Sequence, residues 1–538
     1  MNLPNSVPPP RILRAKIAAA IYSLAASSFI GAQAAPKTVL ISLDGATPRI
    51  LERFLTNGVL NPNQGLGLLK QKGIYARQNL TVSPSLTAPG HIAIATGSTA
   101  ARNDIPANTF QLLASPFTST VSGFGAAIGG YDHHGPAESD TPTAEPIWLE
   151  LRAAGKKVVA ATFPGADGVN VTIPGLVPSP IIQPAAERTV DYTIPFGAFG
   201  GVGARGFSLT AADFSDSSPA VVNQLAAAGK TSFSPVKIKT TDLETITVPG
   251  AAHDVKVAAL DTTDDGTANY DTLVFFGENE GILPGPFALP STGPAYVKEG
   301  GARSASFYLE GSALKSGVRF FATKLEPDLS VVRIARTSAN GIPRNPAVLA
   351  NVDDANANVG FWAPQPDFRI PERLSPGFGP FPDLELEDIY ANLVETFTDY
   401  QMRLARHAMS RVPDADLALI YFEQPDGSEH QYLLVDPRQA SDFTNPSTIG
   451  ARQDAAKVAR YARYIEKAYQ TVDAAVQTII QDVGVDAENH PQANVQTSVK
   501  PAKLVEKMWK FNSLKRSEKR GRVEDRLEEF LAGSSAEV

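Results

Sequence analysis

The sequence predicts an α/β fold in which helices cover both faces of a mostly parallel sheet and a β-rich segment is inserted. Three short apolar runs rich in β-branched residues alternate with helical segments, as in parallel sheets. These runs are KTVLISL (37–43), KKVVAATF (156–163) and LALIYFE (417–423). Residues 191–365 instead combine Gly, Pro, Thr and Ser with short alternating runs, which favours an inserted β-rich cap. The 538 residues, 43% of them hydrophobic, suffice for a large core and an insertion.

Helical segments separate these strands in the order that the fold requires. TPRILERFLTNG follows the first strand, IWLELRAAG precedes the second, and EDIYANLVETFTDYQMRLARHAMSRV precedes the third. A further long helix is predicted at about 450–483. Within the cap, DTTDDGTANYD (261–271) could suggest a calcium loop, but its spacing differs from the EF-hand pattern. A hairpin turn is the favoured interpretation.

The predicted organisation has five parts. They are a signal peptide (1–34), the first part of the α/β core (35–190), the β-rich cap (191–365), the second part of the core (366–495) and a divergent charged tail (496–538).

The N-terminus has the pattern of an export signal. Arg11, Arg14 and Lys16 precede the apolar run IAAAIYSLAASSFIGA, and small residues ending at Ala34 offer a cleavage point. We expect a periplasmic or secreted protein cleaved after Ala34, with no stable membrane span thereafter. A retained anchor is the alternative, although the run is short for a membrane span.

The net charge of the chain argues against some partners, and its lack of cysteine excludes disulfide bonds. The net charge of −8 argues against nucleic acid as the main partner. A phosphorylated substrate remains compatible with it, because a bound metal can reverse the local field. The chain has no Cys, so an exported form must be held together by packing and by any metal.

Chemically versatile side chains follow the predicted strands. Asp44 follows the first strand, Asp426 and His430 follow the third, and Thr87 lies in the motif TAPGH before an apolar helix. Because ligands bind at the carboxyl ends of parallel strands, these residues are expected to share one site. Asp and His are suitable zinc ligands. A metal beside Thr87 would lower the pKa of its hydroxyl and let it act as a nucleophile.

Each of these candidate site residues also has a simpler interpretation. Asp44 before Gly45 is compatible with a plain turn, and Thr87 before Pro89 with a helix N-cap. An isolated Asp-x-x-x-His pair is a weak metal signal. The other histidines are interpreted as surface or structural residues: His133, His134, His253, His407 and His490.

Taken together, the segments resemble the type I phosphodiesterase/nucleotide pyrophosphatase branch of the alkaline phosphatase superfamily. VLISLDG resembles the opening strand of that family, and LTAPGHIAIATGSTAARNDIPANTF its nucleophile helix with Thr in T-x-P-x-H. YFEQPDGSEH resembles the strand that carries an Asp-x-x-x-His metal pair. VVAATFPGAD and YIEKAYQTVDAAVQTIIQDVG resemble a strand near the substrate pocket and a later helix. The resemblance extends from about 37 to 495.

The resemblance implies an alkaline-phosphatase-like α/β/α sandwich that hydrolyses phosphoric esters with two divalent metal ions, expected to be zinc. Asp44 and Thr87 would hold one ion, and Asp426 and His430 the other. Thr87 would form a phosphoryl-enzyme intermediate, and Asn108, 21 residues further on, would donate a hydrogen bond to a phosphoryl oxygen. The substrate would be a small phosphate ester or a nucleotide-like molecule. A Lys-x-Arg pair linked to monoester preference is missing, which favours diesters or pyrophosphates.

The family pattern breaks after about residue 495. The expected Ser-Asp-His-Gly is absent and no His follows His490, so three metal ligands are missing and a sheet edge should be exposed. The last 43 residues contain 10 Lys/Arg and 7 Asp/Glu, which suggests a replaced C-terminus or a disrupted reading frame. The alternative function is therefore an inactive or phosphate-binding relative. A third hypothesis, a glycan-binding or adhesive cap, has little support because the cap lacks repeats.

Overall fold

The structure is a computed structural model that describes most of the chain between residues 36 and 484. The described residues are 36, 38–73, 75, 81–111, 120–124, 146–166, 171–172, 181–183, 189–196, 201–233, 236–277, 295–298, 303–304, 306–312, 314–344, 348–434, 443–445, 447, 451 and 453–484. The predicted signal peptide, the charged tail, His133, His134 and His490 lie outside them.

Eighteen strands and ten α-helices occur in the described residues. The strands are β1 Thr38–Leu43, β2 Thr109–Phe110, β3 Val121–Ser122, β4 Val158–Ala161, β5 Val171–Thr172, β6 Ile181–Gln183, β7 Tyr192–Ile194, β8 Arg205–Leu209, β9 Ser215–Asp216, β10 Lys239–Val248, β11 Ala251–Leu260, β12 Thr272–Phe276, β13 Ala295–Lys298, β14 Phe307–Glu310, β15 Lys315–Val318, β16 Phe320–Leu325, β17 Val332–Arg336 and β18 Leu417–Phe422. The helices are α1 Pro48–Thr56, α2 Gly65–Lys72, α3 Thr87–Thr96, α4 Ala100–Asn103, α5 Ile147–Ala153, α6 Pro219–Ala227, α7 Leu349–Asn358, α8 Asp383–Arg411, α9 Asp426–Tyr432 and α10 Ala455–Val483. None of these helices combines the length and the apolar composition that a membrane crossing requires.

The central sheet is parallel and has the order β1-β18-β4-β7. Strand β1 pairs in register with β18 from Thr38 opposite Leu417 to Leu43 opposite Phe422. Strands β18 and β4, and then β4 and β7, are also parallel. The predicted α/β fold class with a parallel central sheet is thus confirmed. Strand β7 pairs within this sheet although it falls just inside the segment predicted as cap.

Helices form a layer on each face of the sheet because the central strand β18 is apolar on both sides. All six of its residues are buried. Leu417, Leu419 and Tyr421 pack with α3 and α5, whereas the alternate residues pack against α8 and α10 on the opposite face. A strand with no polar face is typical of a parallel sheet covered on both sides. The core therefore lies in two layers, one on each face of the sheet.

The segment between β7 and α8 forms antiparallel sheets. One sheet has the order β13-β12-β11-β10-β9, and another has the order β16-β17-β8. The loop 261–271 connects β11 to β12, which pair from Leu260 opposite Thr272 onward. Asp271 in this loop accepts hydrogen bonds from the hydroxyls of Thr262 and Thr263. The loop is therefore the hairpin connection that the sequence favoured over a calcium loop.

Helix α10 caps the start of helix α2, next to the first core strand. The amide of Gly65 donates to Oε1 of Gln477 at 2.7 Å, and the amide of Leu66 donates to Oδ1 of Asp473 at 2.6 Å. The first amides of a helix have no partner within the helix, so these side chains satisfy them. Gly65 has a φ of +47°, and a Cβ there would lie 2.2 Å from Asp473 Oδ1. Only glycine fits this close contact.

We predict that Gly65→Ala lowers the free energy of unfolding by about 2–4 kcal/mol, since it combines a left-handed φ with a steric clash. The matched control is Gly58→Ala. Gly58 has a φ of +75° but nothing within 4 Å of its added Cβ, so a loss of only about 1 kcal/mol is expected. Urea denaturation followed by circular dichroism measures both. Equal losses in the two variants would contradict the proposed clash.

Candidate active site

Two of the predicted site residues, Asp44 and Asp426, meet where β1 and β18 end. The Asp44 amide donates to the Phe422 carbonyl and the Asp426 amide donates to the Asp44 carbonyl, each at 3.0 Å. Gly45, with a φ of +72°, turns the chain away after Asp44, and a Cβ there would lie 2.7 Å from Asp426 Cα. The two carboxylates are therefore held together by backbone contacts between strand ends that are remote in the sequence.

The pair of carboxylates is electrostatically strained. Burial, and then the charge of Asp44, raises the pKa of Asp426 to about 6, while His430 partly offsets this effect. The Tyr421 hydroxyl donates to Asp44 Oδ2 at 2.9 Å, and burial of this tyrosine raises its own pKa well above its ordinary range. Tyr421 therefore remains a neutral donor that orients Asp44.

Two further carboxyl groups, which the sequence analysis did not single out, lie beside this pair. Burial, and then the charges of Asp426 and Asp44, raises the pKa of Glu423 to about 8. Its Oε2 atom is buried and has no hydrogen-bond partner among the described residues. Burial also raises the pKa of Glu429 to about 7, although the Tyr469 hydroxyl donates to this carboxylate at 2.9 Å. The sequence feature that could have indicated both residues is their place in YFEQPDGSEH, which follows a buried strand.

His430 lies next to Asp426 on α9 but points largely to solvent. Its Nε2 atom is 3.4 Å from Asp426 Oδ2, and 78% of its side chain is exposed. Within the described part of the chain, no three His, Asp or Glu side chains converge as a ready metal site. The predicted pair of Asp426 and His430 is therefore adjacent in space, with the imidazole directed largely to solvent.

Thr87 is the first residue of α3, and the N-cap position before it is Leu86. The interpretation of Thr87 as the N-cap is therefore wrong, and its hydroxyl is not used for capping. His91, one turn later, fixes this end of the helix. Its Nδ1 donates to the Thr87 carbonyl at 2.7 Å, and its Nε2 lies 2.8 Å from Ser42 Oγ on β1. The motif T-x-P-x-H thus ties the Thr87 turn to the strand that carries Asp44.

Asn108 packs against the same turn. Its Oδ1 accepts a hydrogen bond from the Ala88 amide at 2.9 Å. Because a backbone amide can only donate, this contact assigns the oxygen of the side chain and turns its Nδ2 donors away from Ala88. Pro89 has no amide hydrogen. Among the first three residues of α3, only the Thr87 amide is therefore left to meet an anion, which is fewer donors than a typical helix start offers.

The other described histidines have structural partners away from this site. His407 Nε2 lies 2.8 Å from Asp354, which also accepts from the Tyr192 hydroxyl at 2.7 Å. His253 Nε2 lies 3.2 Å from the Glu310 carbonyl in the cap. These contacts agree with the prediction that neither residue is a ligand.

We predict that the metal-free protein loses stability as pH rises from about 5 to 8, and that Glu423→Gln reduces this loss. The pKa of Glu423 in the folded protein is about 8, whereas the ordinary pKa of a glutamate is 4.5. The folded protein therefore keeps a proton on Glu423 up to about pH 8. The folded state therefore binds more protons in this window, and the free energy of unfolding falls by up to about 1.4 kcal/mol per pH unit.

Denaturation curves at several pH values, recorded in EDTA, measure this slope. The control is Glu395→Gln, because Glu395 forms a surface pair with Lys467 and is 45% exposed. An unchanged slope in Glu423→Gln would show that this carboxyl ionises normally.

Comparison with known protein families identifies the first part of the chain. Residues 38–222 match the family described as Type I phosphodiesterase / nucleotide pyrophosphatase. The match includes Asp44, Thr87 and Asn108 and ends before β18, Asp426 and His430. No curated protein matches the chain significantly. The resemblance inferred from the sequence is thus confirmed over residues 38–222, where the chain matches the type I phosphodiesterase/nucleotide pyrophosphatase family of the alkaline phosphatase superfamily.

Proposed function

We propose that this protein is an exported, metal-dependent phosphoric ester hydrolase in which Thr87 is the nucleophile. The family match supports a phosphodiesterase-like or nucleotide pyrophosphatase-like hydrolase. The observation that carries the assignment to Thr87 is the His91 bridge, which fixes the first turn of α3 to the strand ending at Asp44. Through this bridge the backbone of Thr87 is linked to β1, the strand that Asp44 follows, which supports the proposal.

The donor chemistry of the site suits divalent cations. Burial, and then the charges of Asp426 and Asp44, raises the pKa of Glu423, and a cation between the strand ends would relieve the repulsion among these carboxylates. The unpartnered Glu423 Oε2 supports the same conclusion. Asp44 and Thr87 would hold one ion, and Asp426 and His430 the other. Two ligands per ion are fewer than the three or four of a structural zinc site, so we expect weak retention.

The residues of the chain have distinct roles in the proposed reaction. Thr87 Oγ1 forms a bond to phosphorus while the leaving oxygen departs with a proton, and water then cleaves the phosphothreonine. The second step frees Thr87 and releases a phosphate monoester from a diester, or phosphate from a monoester. The Asn108 Nδ2 group donates to a non-bridging phosphoryl oxygen. Tyr421 holds the orientation of Asp44, and His91 positions Thr87. Bound metal would supply Lewis-acid stabilisation and lower the pKa of the attacking hydroxyl.

The proposed substrates are small phosphate esters or nucleotide-like molecules. Diesters or pyrophosphates are preferred over monoesters, because the sequence shows no Lys-x-Arg pair of the kind linked to monoester preference. We propose a periplasmic or secreted location on the basis of the N-terminal signal pattern, with cleavage after Ala34.

A phosphate-binding relative without turnover is the second candidate. The exposed position of His430, which among the described residues pairs with its neighbour Asp426 on α9, favours it. This candidate predicts that the protein binds phosphate esters but releases no product after zinc loading.

The nucleophile assignment is tested with Thr87→Ala and Thr87→Ser on zinc-loaded protein. We predict that Thr87→Ala lowers kcat for a chromogenic diester at least about 1,000-fold, since it removes the attacking oxygen. Thr87→Ser keeps a hydroxyl and should retain part of the activity. Acid quenching followed by peptide mass spectrometry should detect a phosphoryl adduct on the peptide containing Thr87.

The matched control is Thr478→Ala, because Thr478 is a half-buried threonine on α10 whose hydroxyl donates to the Ala474 carbonyl of the same helix at 3.0 Å. It should keep wild-type kcat. Turnover by Thr87→Ala at the wild-type rate would refute the nucleophile. Ester binding without turnover in the wild-type protein would favour the phosphate-binding relative.

The role of Asn108 is tested separately with Asn108→Asp. Aspartate keeps an acceptor for the Ala88 amide but removes the Nδ2 donor and adds negative charge. We predict a loss of about 100- to 1,000-fold in kcat with little change in melting temperature. Wild-type kcat in this variant would show that Asn108 acts only through the Ala88 contact.

A further inference from the structure

Arg319, between β15 and β16, is a mostly buried cation that forms no ion pair with any other residue that the structure describes. Its Nη1 atom is buried and has no hydrogen-bond partner among the described residues. The backbone around it is fixed, since its amide donates to Thr337 Oγ1 at 2.9 Å and its carbonyl accepts from the Thr337 amide at 3.0 Å. An unpaired buried charge is costly, so this guanidinium needs an explanation.

The cap contains a second buried arginine that shows how such a charge is normally satisfied. Arg336 is 2% exposed and forms a two-point ion pair with the equally buried Glu244. Its Nη1 also donates to the carbonyls of Gly203 and Thr337, at 2.9 and 2.8 Å. Within the described part of the chain, the Arg319 Nη1 atom has no comparable carboxylate or carbonyl partner.

Arg303 lies on the same face of the β-structure around β16 as Arg319. It stands opposite Phe321 in an antiparallel bridge, and Arg319 precedes Phe321 by two residues. Residues opposite each other and two apart along a strand point to one face. Phe321 packs with Leu386, Ile389 and Leu393 of α8, so this face is directed at that helix.

Helix α8 adds a third guanidinium. Arg403 contacts Asp399 through Nε at 3.0 Å and the Val359 carbonyl through Nη1 at 3.0 Å. Burial, and then the charges of Arg303 and Arg403, lowers the pKa of Arg319 to about 10, and Asp399 offsets only part of this effect. The charges that act on Arg319 therefore include two further guanidinium groups and one carboxylate, Asp399, which is paired with Arg403. This leaves an excess of positive charge.

We propose that Arg303, Arg319 and Arg403 form a binding site for a small oxyanion, with Arg319 at its base. Guanidinium groups bind the oxygens of phosphate and sulfate in pairs, and a dianion would satisfy the buried Nη1 donor. Arg303 is exposed and 42% of the Arg403 side chain is exposed, so the ligand has access from solvent. The chemistry fits free phosphate, free sulfate or the phosphate end of an ester.

This site is distinct from the candidate active site. Tyr390 on α8 contacts the active-site helix α9 by donating to the Gly427 carbonyl at 2.6 Å. Arg403 follows 13 residues later on the same helix, about 20 Å away at 1.5 Å per residue. An anion held by Arg403 is therefore too far from Thr87 to be the reacting group.

The test compares the full-length wild-type protein with Arg319→Met in EDTA, in chloride buffer of constant ionic strength. Without oxyanion, Arg319→Met should melt at a higher temperature, because it removes an unpaired buried charge. Isothermal titration with inorganic phosphate should show binding at least about tenfold weaker in the variant. The control Arg336→Met should melt at a lower temperature, because it removes the buried partner of Glu244 and leaves this carboxylate with the half-exposed Arg205 at 3.6 Å.

Titration with inorganic phosphate, sulfate and glycerol phosphate distinguishes a free anion from the phosphate end of an ester. Tighter binding of glycerol phosphate than of inorganic phosphate would assign the site to an ester, and tighter binding of inorganic phosphate or sulfate would assign it to a free anion. Either result supports the site, provided that Arg319→Met binds the preferred ligand more weakly than the wild-type protein does. Equal binding of all three ligands to wild type and Arg319→Met, with a lowered melting temperature of the variant, would overturn the proposal.

Discussion

The parallel pairing of β1 with β18 is the constraint on which the rest of the site depends. The register from Thr38–Leu417 to Leu43–Phe422 sets both strands to end at the same level. Asp44 and Asp426 therefore meet through a backbone hydrogen bond rather than through side-chain attraction, which between two carboxylates would be repulsive. A shift of one residue in this register would separate the carboxylates and turn the faces of β1 over.

Much of this arrangement could be predicted from the sequence because it depends on local pattern. The runs VLISL and LALIYF have the continuous apolar character of strands buried on both faces, and the acidic residues after them mark the strand ends. The motif TAPGH correctly placed Thr87 at the start of a helix. The same pattern could not decide between N-cap and first helical residue, because the two differ in whether the backbone of Thr87 itself is helical.

Other features could not be predicted because they arise only from long-range packing. The residues around Glu423 in the sequence do not distinguish it from a surface glutamate. Its raised pKa results from burial beside Asp44 and Asp426. The assignment of Tyr192–Ile194 to the parallel sheet depends on its hydrogen bonds to β4, whereas its surroundings in the sequence resemble the cap. Likewise, the buried position of Arg319 is set by contacts between the cap and α8, which the composition of the chain does not reveal.

The β1–β18 pairing also has a consequence for the order in which the molecule can fold. The Tyr421 hydroxyl that orients Asp44 lies 377 residues further along the chain. The antiparallel cap strands, such as β10 and β11, pair with near neighbours and can form early. Closing a loop of several hundred residues has a high entropic cost, and long-range contacts slow folding. The carboxylate site is therefore expected to assemble last, after the cap is already structured and nearly all of the chain up to Phe422 is present.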